Sequence, residues 1–499
     1  MTDTIEVKNK EENTKVNKKD VSYLGTGPIL QVLLYQSVNN MLGFVIVTLY
    51  MLADSVFIGQ YLGEPGLAAS SLGLSIELLL CIIVIQSLSV GSIALIGPAL
   101  GQNRIDDARN YATQFFLLLV IYNLIVPCFM IPLRKIIAQG LGATTEPTYT
   151  YLESYITVMY SGGVLAYTIN VGLLPLLRQE NKVREAMVLQ IVSSLLNIIL
   201  DAIFFNLTLS QLGMMCAALS TVLSQLIIDI WILYNFFGGV KSTVIKFSKK
   251  GLRFTKEYLK TTFAQFVPAV SNTVPIIVEI ALMNSQISKY GGNKAVFYGA
   301  VYGLMCRLIQ LLVQPRLGIY FGFLAIISYN LGQKKFQRIQ KLIYYADWVT
   351  MFFLIIIDAI LIGLMPYIIF IFNTDQKFID EATPLLRMSF AGLFTMGSIS
   401  VASGVLQMSG QVVIATLIQG FRLTIDIILL YTIPLFLDVK WVFLVPSITE
   451  TCGCIIGQVV LATQTRKYKR MAETQALESE LELCSQVEIS VQDGVKEEN

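Results

Sequence analysis

The chain has 499 residues, 55% of them hydrophobic and 14% charged, with a mean hydropathy of +0.65. Soluble domains carry about 25% charged residues, so this composition excludes a soluble globular protein and specifies an integral membrane one. A formal net charge of +2 gives no sign of a nucleic-acid surface, and the absence of histidine removes the commonest general base.

In chain order, residues 1–27 are polar, Lys-rich and without an apolar core, which predicts a disordered tail and no cleaved signal peptide. Six apolar runs long enough to cross a bilayer follow in an N-lobe over residues 28–237: roughly 30–60, 67–98, 109–132, 147–177, 184–206 and 211–237. Residues 238–262 are basic and polar and read as a linker on the membrane surface. Six further runs make a C-lobe over residues 263–464: roughly 262–288, 295–330, 340–372, 380–407, 411–437 and 441–463. Residues 465–499 are basic at Arg466–Arg470 and then acidic, and predict a second disordered tail. Asn206-Leu-Thr208 matches a glycosylation sequon close to the membrane, a short pattern that often occurs by chance.

Lysine and arginine are sorted by side. With the N-terminus inside, the loops of the opposite side hold only Arg134, Lys135, Lys289, Lys294, Lys377 and Lys440. The positive-inside rule then places both termini in the cytoplasm, and the plasma membrane is the expected location.

The two halves echo each other. Gly91…Leu100-Gly101-Gln102 returns as Gly322…Leu331-Gly332-Gln333 at an offset of 231, and Leu177…Asn197 returns as Leu406…Asp426 at an offset of 229. Because each half has an even number of spans, the repeats run in the same direction. The predicted fold is therefore all-α: twelve transmembrane helices in two six-helix bundles, related by a pseudo-two-fold axis along the membrane normal, with a central cleft between them.

Acids inside apolar spans stand out, because a carboxylate there costs roughly 2.5–3.5 kcal/mol on insertion scales. Tyr50 and Asp54 lie four residues apart in the first span, and Asn197 and Asp201 lie four apart in the fifth, so each pair shares a helix face. With Thr221 of the sixth span they form a hard-oxygen set suited to a proton or a small cation such as Na+. Asn197 and Thr221 are equally explained as interhelical packing bonds. Glu279 is mid-span in the seventh run. Together with Asn284, Asp358 and Asp426 it is a candidate for contacting substrate in the C-terminal half of the cleft. Glu77 and Asp229 read as nearer an interface, and Arg422, four residues before Asp426, suggests an intrahelical ion pair. The cysteines, including Cys81, Cys128, Cys216 and Cys306, read as packing residues, and neither a zinc site nor a disulfide framework is expected.

Leu49-Tyr-Met-Leu-Ala-Asp-Ser-Val-Phe-Ile-Gly-Gln-Tyr-Leu-Gly63 resembles a helix 1 motif of the multidrug and toxic compound extrusion (MATE) family, in its DinF-like branch. Leu177-Arg-Gln-Glu-Asn181 with Asn197…Asp201 resembles that family's helix 4–5 turn and helix 5, and Gly213…Thr221 its helix 6 opening. Pro315-x-x-Gly318 and Ser328-Tyr-Asn-Leu-Gly332…Arg338 are similar to its helix 8 and the following loop. The resemblance runs from about Pro28 to Thr463. It implies that Asp54 and Asp201 are cation-coupling carboxylates, accompanied by Tyr50, Asn197 and Thr221. It also matches Asn170 to a helix 4 asparagine and Glu279 to a helix 7 acid found in another branch. The chain departs from the family in having no acid in helix 10 (Leu385–Leu406) and no proline between Leu34 and Thr48. It also reads Ala325-Ile-Ile-Ser where Gln-Pro-Ile-Ile is usual.

The expected protein is a monomeric antiporter without a cofactor. It exports amphipathic, often cationic, organic compounds against inward flow of H+ or Na+ by alternating access. A related exporter of lipid-linked substrates is the alternative. A membrane-embedded enzyme finds no nucleophile or metal cluster in the sequence. A major-facilitator transporter would show a Gly…Asp-Arg-x-Gly-Arg loop, which Gly101-Gln-Asn-Arg-Ile-Asp-Asp-Ala-Arg109 lacks.

Overall fold

In hydrocarbon every backbone N–H and C=O must be satisfied within the chain, so apolar runs of this length fold as helices. A computed structural model describes residues 20–77, 80, 83–141, 143, 146–206, 213–239 and 243–497. Residues 1–19 of the N-terminal tail and positions 207 and 208 of the sequon lie outside the described residues. Among the described residues eleven helices are long and apolar enough to cross a membrane, and a bent pair makes twelve.

The N-lobe comprises α1 (Ile29–Glu77), α2 (Ile83–Gly101), α3 (Ile105–Gly140), α4 (Thr148–Gly163 and Thr168–Gln179, bent by 48°), α5 (Val183–Asn206) and α6 (Met215–Tyr234). Helix α1 carries the first span and the start of the second. It breaks at Gly63, where φ is 64° and ψ −156°, values that only glycine adopts readily. The C-lobe comprises α7 (Phe266–Tyr290), α8 (Ala295–Gly332), α9 (Phe336–Phe372), α10 (Gln376–Met408, interrupted by a 3₁₀ turn at Leu393–Thr395), α11 (Val412–Phe436) and α12 (Val445–Glu497).

Three apolar cores define how the lobes meet. One packs Leu33, Ile93 and Leu177 of the N-lobe with Phe323, Ile327 and Val405 of the C-lobe, at the end where the chain tails lie. At the opposite end each lobe has its own core, around Ile58, Leu152 and Phe205 in the N-lobe and Met305, Leu361 and Phe443 in the C-lobe. The lobes are therefore joined at the tail end and separate toward the other.

The joint obeys the repeat. Gly101 packs on the Tyr329 carbonyl, and its counterpart Gly332 packs on the backbone of Pro98, the counterpart of Tyr329. The turns after them match as well: Asn103 and Lys334 are both left-handed, at φ 58° and 54°. Reciprocal contacts of this kind are what a two-fold axis through the interface requires.

One segment differs from the sequence expectation. The region beyond residue 465 continues α12 as helix to Glu497. Ala472 and Tyr468 are buried there, and the Tyr468 hydroxyl bonds to that of Ser409 at 2.6 Å, so tertiary contacts support the start of the extension. The linker, read from sequence as lying on the membrane surface, is tied to the N-lobe from Thr243 onward. The Ile245 N–H donates to Glu180, Lys182 donates to Thr243 at 3.1 Å, and the Thr255 N–H donates to Gln114 at 2.9 Å. The Phe247 ring stacks on Phe116 at 4.6 Å and on Phe236 at 5.5 Å.

A short helix at Tyr23–Thr26 lies across the joint. Asn330 donates to the Leu24 carbonyl at 3.0 Å, Lys335 to Gly25 at 2.9 Å and Arg338 to Gly27 at 2.6 Å, while Asn181 of the N-lobe donates to Asp20 at 3.0 Å. The segment thus ties the two lobes together.

Candidate functional site: two buried charged clusters

In the N-lobe, α5 packs between α1 and α6, which brings their polar side chains together inside the bundle. Asp201 is fully buried and accepts a hydrogen bond from the Ser220 hydroxyl. Asn197 bonds to Thr221 at 3.2 Å. Turned so that both ends of its amide are satisfied, it donates to Asp201 Oδ2 at 3.2 Å while its oxygen accepts from the Thr221 hydroxyl at 3.2 Å. Asp54 lies within electrostatic reach of Asp201 and Glu77, and its buried Oδ1 has no hydrogen-bond partner. Tyr50, one turn before, senses the same three carboxylates.

Asp54 thus has two further carboxylates within electrostatic reach, and like charges in a low dielectric repel each other. Phe205 of α5 stacks with Phe57 of α1 at 6.2 Å and lies tilted against Tyr61 at 5.3 Å. The Tyr61 hydroxyl donates to Asn206 at 2.6 Å, pinning α1 to α5.

Asn170 is buried on α4 with its amide nitrogen unpartnered. Among the described residues no hydrogen bond ties it to Asp54 or Asp201. Glu77, which the sequence suggested could lie nearer an interface, is partly exposed and within electrostatic reach of Asp54.

The C-lobe holds a second cluster. Arg422 of α11 pairs with Glu450 of α12 at 2.8 Å and with Glu279 of α7 at 3.9 Å. The i,i+4 ion pair suggested for Arg422 and Asp426 is not among those formed. Asp426 sits one turn along, beside Thr449 and within reach of both Arg422 and Glu450. Asn284 is exposed on α7 and takes no part in these ion pairs. Asp358 accepts the Phe394 N–H at 3.2 Å where α10 is interrupted, which gives it a capping role in the bundle.

Glu450 and Asp347 were not singled out from sequence. Asp347 accepts from Ser398 at 2.6 Å and from Gln458 at 2.7 Å. The cost of an acid in a span applies to both, and counting every such acid would have found them.

Between the lobes lies a cavity of about 60 Å³ that includes Gln86 and Ser87 of α2, Asn272 of α7, Arg316 of α8 and Gln407 of α10 in its lining. Arg316 donates to Ser400 at 2.8 Å there, and its Nε has no partner. Among the described residues no group of three or more His, Cys, Asp or Glu side chains is arranged to hold a metal ion.

Comparison with known proteins agrees with this architecture. The multidrug export protein MepA of Staphylococcus aureus (strain NCTC 8325 / PS 47) is 25% identical over 409 residues, covering 80% of this chain and 86% of that protein. The MepA of Staphylococcus saprophyticus subsp. saprophyticus is 27% identical over the same shares. A multidrug resistance MATE transporter of the MOP superfamily, solved facing outward, superposes with a TM-score of 0.82 at 22% identity, over 90% of this chain and 98% of that one. A MOP superfamily transporter from Pyrococcus furiosus Vc1, whose binding pocket is described as of reverse polarity, gives 0.81 at 22% identity over the same shares. The MatE family model matches residues 40–203 and 275–432, more than half of the sequence, and the chain belongs to the MATE family of membrane transporters.

Proposed function

We propose that the protein is an antiporter that exports amphipathic, often cationic, organic compounds, driven by H+ or Na+ and working by alternating access. The observation that carries this reading is the meeting of Asp54 and Asp201 on packed helices, with Glu77 in reach and with hydroxyl and amide groups around them. The MepA relatives are named as multidrug exporters. With the tails in the cytoplasm of a plasma-membrane protein, the joined end faces inward and the separated end outward.

A cation or proton entering from the open end relieves the repulsion between Asp54 and Asp201. It thereby draws α1 toward α5 and α6. Helix α1 is also the element that packs on α8 across the lobe joint, where Gly318 lies against Met41 and Gly322 against Gln36. Site occupancy then favours one arrangement of the lobes over the other, which is coupling by population shift. Catalysis of covalent chemistry has no place in this reading, and a monomer suffices for it.

The test is efflux of a fluorescent cationic dye from proteoliposomes, with Na+ and pH gradients imposed separately. The expected result is efflux that follows one gradient and is lost in Asp54→Asn, at normal expression. Gradient-driven efflux that survives Asp54→Asn removes the carboxylate from the mechanism.

A second reading, export of an anionic or lipid-linked compound, is favoured by one observation. Arg316, partly buried and with an unpartnered Nε, lines the interlobe cavity. Transport of an anionic dye that depends on Arg316, without cationic transport, would select it.

A further inference from the structure

A groove of about 570 Å³ opens at the tail end, between the turn that joins α8 to α9 and the extension of α12. Lys334, Lys335, Arg338 and Lys341 line one wall. Among the described residues none of the four is in an ion pair. The facing wall is one side of the α12 helix, at the i, i+3, i+4, i+7 positions 472, 475, 476 and 479. Ala472 and Ala476 leave it open, and Gln475 and Ser479 offer it polar side chains without charge. The neighbouring acid Glu473 is within 3.9 Å of Lys469 on its own helix and does not line the groove.

The positive charge here is uncompensated. Lys335 and Arg338 spend their hydrogen bonds on neutral carbonyls of Gly25, Leu24 and Gly27. Burial, and then the charge of Arg338 beside it, hold the Lys335 ammonium below its ordinary range. An oxyanion in the groove would remove that repulsion. A phosphate group, with several acceptor oxygens and up to two charges, matches four clustered cations better than a single carboxylate does. The groove also lies at the start of α9 and beside α12 beyond its apolar run, on the tail side, where basic side chains gather and can meet headgroup phosphates.

We infer that this groove is an anion site for a phosphate-bearing ligand, held by Lys334, Lys335, Arg338 and Lys341 against the α12 extension. The ligand is the headgroup of an acidic phospholipid or a soluble phosphate compound, which present the same chemistry. Lys335 and Arg338 grip the 23–27 segment with the same side chains that line the groove. Occupancy therefore acts on the contact that ties the lobes together, independently of which substrate is exported.

The experiment uses the full-length purified protein in neutral detergent and follows its melting temperature. Sodium pyrophosphate, dioctanoyl phosphatidic acid and dioctanoyl phosphatidylcholine are titrated separately. The expected result is a saturable rise with an anionic probe and none with phosphatidylcholine. A rise with phosphatidic acid alone assigns the site to lipid, and an equal rise with pyrophosphate assigns it to soluble phosphate. Lys334→Gln with Lys341→Gln, neither of which touches the 23–27 segment, should weaken the response about tenfold. Ala476→Glu should weaken it too, by placing a carboxylate in the groove. Both variants should melt no lower than the parent without anion, since each reduces repulsion. An equal anion response in the parent and both variants, or no response to either anion, overturns the assignment.

Discussion

Gly97 and Ser328 occupy the same place in the two halves of the chain, 231 positions apart. They face each other across the lobe joint so closely that a Cβ on Gly97 would meet the Ser328 side chain. Counterparts in contact with each other mark where the pseudo-two-fold axis passes. The glycines there keep the helices near enough for backbone to touch backbone, the role small residues play at helix crossings in membranes.

The joint should fail on adding volume. Gly332→Val places its Cβ against the backbone of Pro98, which cannot turn aside as a side chain would. Overpacking costs about 1–3 kcal/mol, and here separating the lobes relieves it, so the joined state should fall roughly tenfold or more in population. Spin labels at Arg104 and Gln337, both exposed, should report a longer distance than in the parent. An unchanged distance distribution would contradict the account.

Arg178 of the N-lobe lies 5.2 Å from the ring of Phe44 in its own lobe and 5.5 Å from the ring of Phe321 in the other. A cation–π contact is worth about 0.5–1 kcal/mol when exposed and about 2 or more when desolvated. Double-mutant cycles on thermal stability, with Arg178→Leu against each Phe→Leu, should give coupling near 1 kcal/mol for both pairs. In the Gly332→Val background the Arg178–Phe321 coupling should vanish and the Arg178–Phe44 coupling persist. Equal loss of both would mean that the stack is not split between lobes.

Lys182→Met should be costly at the linker. Glu180 and Lys182 pair at 2.7 Å with both side chains buried, so removing the amine strands a carboxylate, at about 3–5 kcal/mol. Burial holds the Glu180 carboxyl above its ordinary range, against the opposing pull of Lys182. An acid whose folded value is raised binds more protons in the native state, so its contribution to stability falls as pH rises from the ordinary value near 4.5 through the raised one. The variant removes the opposing pull, so its deficit should be larger at about pH 8 than at about pH 5. A deficit that does not change with pH would argue against a stranded carboxylate.

Arg422→Met leaves Glu450 and Glu279 unpaired inside the C-lobe and should cost about 3–5 kcal/mol. Adding Glu450→Gln should recover part of the loss, because the 2.8 Å partner no longer carries an uncompensated charge. Melting curves of the single and double variants decide it. No recovery would place the damage in packing rather than charge.

The sequence by itself determined the membrane class, the helical architecture and the repeat, because hydrocarbon leaves an apolar run of 20 residues few ways to satisfy its backbone. It also determined that Tyr50 with Asp54, and Asn197 with Asp201, share helix faces, since four residues make about one turn. Which faces meet was beyond it. Glu77 coming within reach of Asp54, Arg422 reaching α12 rather than Asp426 one turn away, and Asp358 capping the break in α10 all depend on how helices distant in sequence are rotated and packed. The helical course of the chain past residue 465 was hidden for a related reason. A polar segment has no apolar pattern to declare its state, and contacts such as Tyr468 on Ser409 exist only once α10 and α12 are side by side. Local geometry is written in spacing, whereas tertiary structure decides it wherever the energy resides in contacts between helices.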